Sequence, residues 1–219
     1  MEQNVTPKIV DRATRKKDIA QRSLSLFAER GFEAASMSQI AEAVGVKKAT
    51  IYDYFANKDE LVMEALKVWF EQLLEGMELL LAGTTDPIEQ LHIFIDSSCA
   101  AMEETFAMQL TLSVTQLMAK EENVEKFQFA RALLARIRKM FEGIMLEGIS
   151  RGVFRTECAR DVDKITVNFL AYLDGIGLHY YLFGHDAFDL KTQMDFYLER
   201  LLSQIVSESV EARPADTTT

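Results

Sequence analysis

Cations, a hydroxyl and phenols that can meet phosphates and base edges crowd into one short stretch of the chain: Lys47, Lys48, Thr50, Tyr52, Tyr54 and Lys58. Lysine neutralises phosphate charge, while hydroxyl and phenol groups give or accept hydrogen bonds. The surrounding block, Ser36 to Leu61, reads SMSQIAEAVGVKKATIYDYFANKDEL, and its spacing dictates how those groups are presented. Ser36 followed three residues later by Gln39 is a capping box, so a helix starts there. Ile40, Ala41 and Val44 supply its inward face, and Gly45 sits where the chain must turn left-handed to leave it. After Gly45, Val46 and Lys47, a second short helix is expected from about Lys48 to Phe55. Ile51 and Phe55 anchor it, leaving Lys48, Thr50, Tyr52 and Tyr54 for its other faces. Asn57 and Glu60 repeat the capping pattern and open a third helix. Two short helices across a glycine turn make a helix-turn-helix, and the second is the candidate reader.

Upstream, RKKDIAQRSLSLFAERGF carries Ile19, Ala20, Ser23, Leu26 and Phe27 on one stripe, which predicts a support helix covering the two short ones, ended by Gly31. With that helix in place, the block from about Arg15 to Leu61 resembles the DNA-binding domain of the TetR/AcrR family of bacterial transcription regulators. The likeness is carried by Leu26-Phe27, Gly31-Phe32, Ile40-Ala41, Gly45-Val46, the string Thr50-x-Tyr52-x-Tyr54-Phe55, and Asn57-Lys58-x-x-Leu61. It covers about a quarter of the chain in motif detail and the rest only in architecture.

The resemblance implies that Lys48, Ala49, Thr50 and Tyr52 lie where base edges or the sugar-phosphate backbone are touched, and Tyr54 and Lys58 where phosphates are. Lys47 opens the reader as a natural phosphate partner, and Ser36 and Gln39 complete the expected DNA-facing set. Two positions depart from the family pattern. Asp53 puts a carboxylate on the reader, where it repels phosphate unless it accepts from a cytosine amino group or points away. Arg22 stands where the family usually has a small residue, which places it nearer the rim of the support helix than its core.

Charge is divided along the chain. The net charge of −10 conceals a first stretch, Met1 to Lys58, with ten Lys/Arg against seven Asp/Glu; the remainder has 14 against 27. A mildly basic head precedes a strongly acidic body. Arg12, Arg15, Lys16, Lys17 and Arg22 cluster on the support helix and could meet phosphates or the minor groove; a solvated helix face is the plainer reading. Two cysteines, Cys99 and Cys158, are too few for a disulfide framework, and no signal peptide or membrane-length apolar run is present, so a cytoplasmic protein is expected. His92, His179 and His185 have no ligand spacing, and no nucleophile–base pair or phosphate loop is recognisable. No metal, cofactor or catalytic residue is expected.

Beyond Leu61 the pattern is helix after helix, giving an all-α fold: an N-terminal three-helix helix-turn-helix head, then a larger helical ligand-binding and dimerisation domain. The expected divisions are a flexible arm over 1–13, the DNA-binding domain over 14–60, the larger domain over 61–210 and a disordered tail over 211–219. Helices are expected at about Lys58–Leu81, from Asp86-Pro87 to Glu104, Phe106–Met118, Asn123–Arg151, from Asp161, and Asp189–Val210. The last two are apolar on more than one face. The family resemblance implies that this pair meets its symmetry mate in a four-helix bundle, with Phe169, Leu173, Ile176, Tyr180, Leu198 and Leu202 as candidate dimer contacts. Gly175 and Gly177 would permit close helix approach.

Methionines and phenylalanines crowd the middle helices, and both pack adaptably around an irregular cavity. Met102, Phe106, Gln109, Gln116, Phe141, Asn168 and Tyr172 are the candidate ligand contacts. The function expected is a ligand-responsive regulator, a repressor that binds a near-palindromic operator in double-stranded DNA as a homodimer and is released by a small hydrophobic effector. A transcription activator shares every residue named, and a helical scaffold that does not bind DNA is the alternative from another class.

Overall fold

The computed structural model describes residues 12–31, 34–103, 124–184 and 186–208. Among these residues the regular structure is all helical, with one isolated antiparallel bridge. Two compact units divide it: one runs as far as Gln72 and the other starts at Leu73.

The first unit opens with α1 (Arg12–Arg30), whose buried residues are the five anticipated, Ile19, Ala20, Ser23, Leu26 and Phe27. Ser23 is a polar residue in an apolar stripe, and its hydroxyl donates to the Ile19 carbonyl at 2.8 Å. Residues 12 and 13, expected in the arm, are already helical, and the rest of the expected arm, 1–11, lies outside the described residues. Helix α2 (Met37–Val44) has both halves of the capping box: Ser36 Oγ accepts from the Gln39 amide, and the Ser36 amide donates to Gln39 Oε1. Gly45 closes it at φ 76°, a conformation costly for any residue with a Cβ. Helix α3 (Lys48–Tyr52) is shorter than expected, ending before Asp53 and Tyr54. The chain then turns so that Phe55, like Ile51, is completely buried.

Helix α4 (Lys58–Ala82) begins behind Asn57, whose Oδ1 accepts from the Glu60 amide at 2.8 Å. Leu61, Val62, Met63, Ala65, Leu66 and Val68 are all buried within the first unit. That explains why the unit extends to Gln72 and not to residue 60: the first turns of α4 finish its core.

The second unit contains the end of α4, then α5 (Pro87–Glu103), α6 (Val124–Ser150), a 3-10 turn (Thr156–Arg160), α7 (Val162–Phe183) and α8 (Leu190–Ile205). Pro87 takes the first helical position of α5, where its missing N–H costs nothing, and the Ile88 amide donates to Asp86 Oδ1. Helix α5 packs on α6 and α8, and α6 packs on α7. Their common core centres on Phe94, Phe141 and Phe169, with Phe141 and Phe169 stacked at 4.2 Å. Lys191 ties α8 to Asp96 of α5 at 3.0 Å.

Helix α8 stops at Ile205 instead of running to Val210, because Val206 leaves it in an extended conformation to bridge Phe154. The Arg155 amide donates to the Ile205 carbonyl at 2.7 Å and the Ser207 amide to the Val153 carbonyl at 3.0 Å. Phe154, completely buried, lies over Gly148 so closely that a Cβ there would overlap its ring. The expected helix over Phe106–Met118 and the tail over 211–219 lie outside the described residues.

Candidate nucleic-acid interface

The reader is assembled by burying one side of a very short helix. Ile51 of α3 is fully buried, and the residues around it are turned outward: Lys47, Lys48, Ala49 and Tyr52 are exposed, and Thr50 is half-buried. Tyr52 is 49% exposed, unusual for a tyrosine without a covering element. Lys47 and Lys48 hold no ion pair among the described residues. The surface therefore offers two unspent cations, a hydroxyl, a methyl and a phenol along about a turn and a half of helix. Such groups suit phosphate oxygens and the varied major-groove edge of the bases.

The sequence expectations for this surface divide into two groups. Lys47, Lys48, Ala49, Thr50 and Tyr52 lie together on α3 and its N-cap. Tyr54 and Lys58, both half-buried, lie beyond α3, on the connection to α4 and in its first turn. Ser36 and Gln39 are occupied with one another: Ser36 Oγ also donates to Gln39 Oε1 at 2.8 Å. Their hydrogen bonds start α2, so any contact with DNA is secondary to capping. Asp53 is the C-cap of α3 and exposed, off the reading helix proper. Arg22 is exposed, as its position on the rim of α1 implied.

The basic cluster of α1 behaves differently from Lys47 and Lys48. Arg15 pairs with Asp18 at 2.9 Å, Lys16 with Glu60 at 2.7 Å, and Lys17 with Glu71 at 3.0 Å. The Arg12 guanidinium donates to the Asp53 carbonyl at 2.7 Å. Glu60 is held below the ordinary glutamate range by its hydrogen bond from Lys16 and by the Ala56 amide. These bases are engaged within the first unit, which the composition of the cluster did not reveal.

In the second unit the structure revises the expected contacts. Phe169, Leu173, Tyr180 and Leu198 are buried in the unit's own core, so they are unavailable to a partner; only Ile176 and Leu202 remain half-buried. The exposed apolar residues are others: Val167, Leu178, Leu182 and Phe183 on α7, the last 67% exposed, and Phe196 on α8. Gly177 is likewise spent inside the unit, against Met102, whereas Gly175 faces open space. Periodicity identifies α7 as broadly apolar, but four of the six residues expected at the dimer seam are core of their own unit.

Of the expected ligand contacts, Phe141 is a core residue wedged between Phe94 and Phe169. Asn168 is exposed and its amide donates to the Lys164 carbonyl of its own helix, so it does not face the interior. Tyr172 is half-buried, stacked on Tyr197 at 3.8 Å, with its hydroxyl donating to the Gln193 carbonyl. Met102 is half-buried on α5. Phe106, Gln109 and Gln116 lie outside the described residues. Burial pushes the Cys99 thiol up to about 11, which makes it an inert packing residue. Among the described residues no metal-ligand cluster is found, and no helix is long and apolar enough to cross a membrane.

A capped helix-turn-helix with an outward-facing basic and phenolic reader, on an all-helical body, defines a DNA-binding regulator. Residues 19–65 match the family described as bacterial regulatory proteins, tetR family, so the first unit carries a TetR-type DNA-binding domain. It is 29% identical to the HTH-type transcriptional repressor KstR2 of Mycolicibacterium smegmatis over 70% of this chain and 73% of that protein. The crystal structure of the transcriptional regulator FadR from Bacillus subtilis in complex with stearoyl-CoA is 25% identical, with a TM-score of 0.59, and covers 85% of this chain and 97% of that one. A TetR transcription regulator from Haloarcula marismortui shares the fold at a TM-score of 0.73 and 22% identity, over 88% of this chain and 99% of that one.

Proposed function

We propose that this chain is a repressor that binds a near-palindromic operator as a homodimer in the cytoplasm and is released by a small apolar effector. The observation that carries the DNA half of this reading is the outward face of α3, where Lys47, Lys48, Ala49, Thr50 and Tyr52 surround a buried Ile51. Lys47, Tyr54 and Lys58 meet phosphates and supply salt-dependent affinity, while Lys48, Ala49, Thr50 and Tyr52 read base edges.

The dimer half rests on α7. Val167, Ala171, Gly175, Leu178 and Leu182 are all exposed and follow one another at steps of three or four residues, which aligns them on one helix face. An apolar stripe of that length fits a second copy of itself, as an isologous twofold contact requires. Two heads then address successive major grooves about 34–36 Å apart.

The effector half rests on polarity. Thr166 is the only fully buried polar residue described in the second unit, and its hydroxyl is committed to the Val162 carbonyl. An interior so apolar suits a hydrophobic ligand, in keeping with a relative crystallised with stearoyl-CoA. Such a ligand would reach the head through α4, one helix with turns in both units, and coupling of about 1–3 kcal/mol is typical for such effectors.

Titration of wild type, Tyr52→Ala and Lys58→Ala against a duplex selected by the wild type from a randomised pool, and against random duplex, tests the DNA reading. Tyr52→Ala is expected to lose about 1–3 kcal/mol of preference for the selected duplex, and Lys58→Ala to weaken both and lower the salt slope by about 1. Wild-type binding without salt dependence would end this reading.

A further inference from the structure

The bases at the start of α1 are left over once the DNA-reading residues are assigned, and two of them converge on one place. Arg15 and Lys17 make ion pairs with Asp18 on α1 and Glu71 on α4. Arg12 and Lys16 instead reach the connection that joins α3 to α4. Arg12 Nη2 donates to the Asp53 carbonyl at 2.7 Å, and its guanidinium lies 6.0 Å from the centre of the Tyr54 ring. Lys16 Nζ lies 2.7 Å from Glu60 Oε1 and 5.1 Å from the centre of the Phe55 ring.

Each contact falls on a group that needs a partner. The Asp53 carbonyl is at the C-terminal end of α3, where carbonyls lack helical donors and carry partial negative charge. Arg12 caps that end from another helix. At the opposite end of the connection, Glu60 Oε2 accepts from the Ala56 amide at 2.8 Å, and the Glu60 amide donates to Asn57 Oδ1 at 2.8 Å. Lys16 completes that knot by binding the second carboxylate oxygen. Between the two anchors lie Tyr54 and Lys58.

We propose that Arg12 and Lys16 are positioning residues for DNA binding: they hold the Asp53–Glu60 connection so that Tyr54 and Lys58 meet phosphates, and do not touch DNA themselves. This rests on the operator-binding reading above. A base spent on a carboxylate releases no counterion from DNA, whereas each base on a phosphate adds about 0.9 to the slope of log affinity against log salt. Positioning and contact are therefore separable.

Lys16→Met keeps an unbranched stem over Phe55 and removes the charge; Glu60→Gln keeps an acceptor for the Ala56 amide. Wild type, both single variants, the double variant and Lys16→Arg are titrated at several salt concentrations against the duplex the wild type selects from a randomised pool. Active fraction comes from stoichiometric titration, and folding from circular dichroism. We expect each single variant to bind about fivefold more weakly at unchanged salt slope and active fraction. The double variant loses no more than either single one, and Lys16→Arg restores binding. A slope lower by about 1 in Lys16→Met makes Lys16 a direct phosphate contact and overturns the proposal. So do additive losses, wild-type affinity in the single variants, or a loss confined to the active fraction. Failure of the wild type to bind any duplex in a salt-dependent way is a different result, which removes the parent reading and this one together.

Discussion

Glu60 does three jobs through one carboxylate and its own amide: it takes the Ala56 amide, the Lys16 ammonium and a place behind Asn57. Because the folded state favours the charged form, its carboxyl titrates below the value of 4.5 expected for an isolated glutamate. The stabilisation is fully present above that value and is lost as pH falls through the lower folded value, since protonation is then more costly folded than unfolded. Wild type should therefore lose head stability over that acidic range, and Glu60→Gln should lose less across it; circular dichroism melts of both between neutral and acidic pH check this. Single residues were also where the sequence spoke most clearly and least completely. The capping pairs Ser36–Gln39 and Asn57–Glu60, and the left-handed Gly45, could be read because their geometry is local. The partners of Arg12, Lys16 and Lys17 could not, because Asp53, Glu60 and Glu71 are brought to them only by folding.

Among the elements, α3 shows how far periodicity reaches. The spacing of Ile51 and Phe55 suggested one helix through both, yet α3 ends at Tyr52, and a turn buries Phe55 instead. Helix α7 shows the converse limit: it was legible as apolar all round, but a twofold-apolar helix does not announce which face its own unit will cover. Phe169, Leu173 and Tyr180 went inward and left Val167, Leu178 and Leu182 outside. The end of α8 differs from expectation for a similar reason, since the bridge between Phe154 and Val206 takes Val206 out of the helix. Beside that bridge, the Phe154 ring lies over Gly148. Gly148→Ala forces the ring to move or the helix to shift, and is expected to cost about 1–3 kcal/mol, read as a lower denaturant midpoint with unchanged slope. A variant as stable as wild type would mean that the ring finds another seat at no cost.

For the whole molecule, the proposed twofold assembly rests on the apolar stripe of α7. Burying Val167, Leu178 and Leu182 against their symmetry mates removes apolar area worth about 25 cal/mol per Å². Leu178→Glu together with Leu182→Glu puts four unpaired charges into that contact in a dimer, so sedimentation should show a monomer whose helical content is unchanged. A dimer that survives both substitutions places the seam elsewhere. Operator affinity should fall as dimerisation is lost, since one head alone addresses only a half-site.

The internal pairing of the α1 bases also bears on how such a regulator finds its target. Cations spent on Asp18, Glu60 and Glu71 are not offered to arbitrary duplex, and the sequence beyond Lys58 is strongly acidic. Non-specific attraction, which grows with the number of phosphates neutralised, is correspondingly small. Chance encounters with the genome are therefore expected to be brief, with a search that proceeds more by short visits than by long one-dimensional sliding.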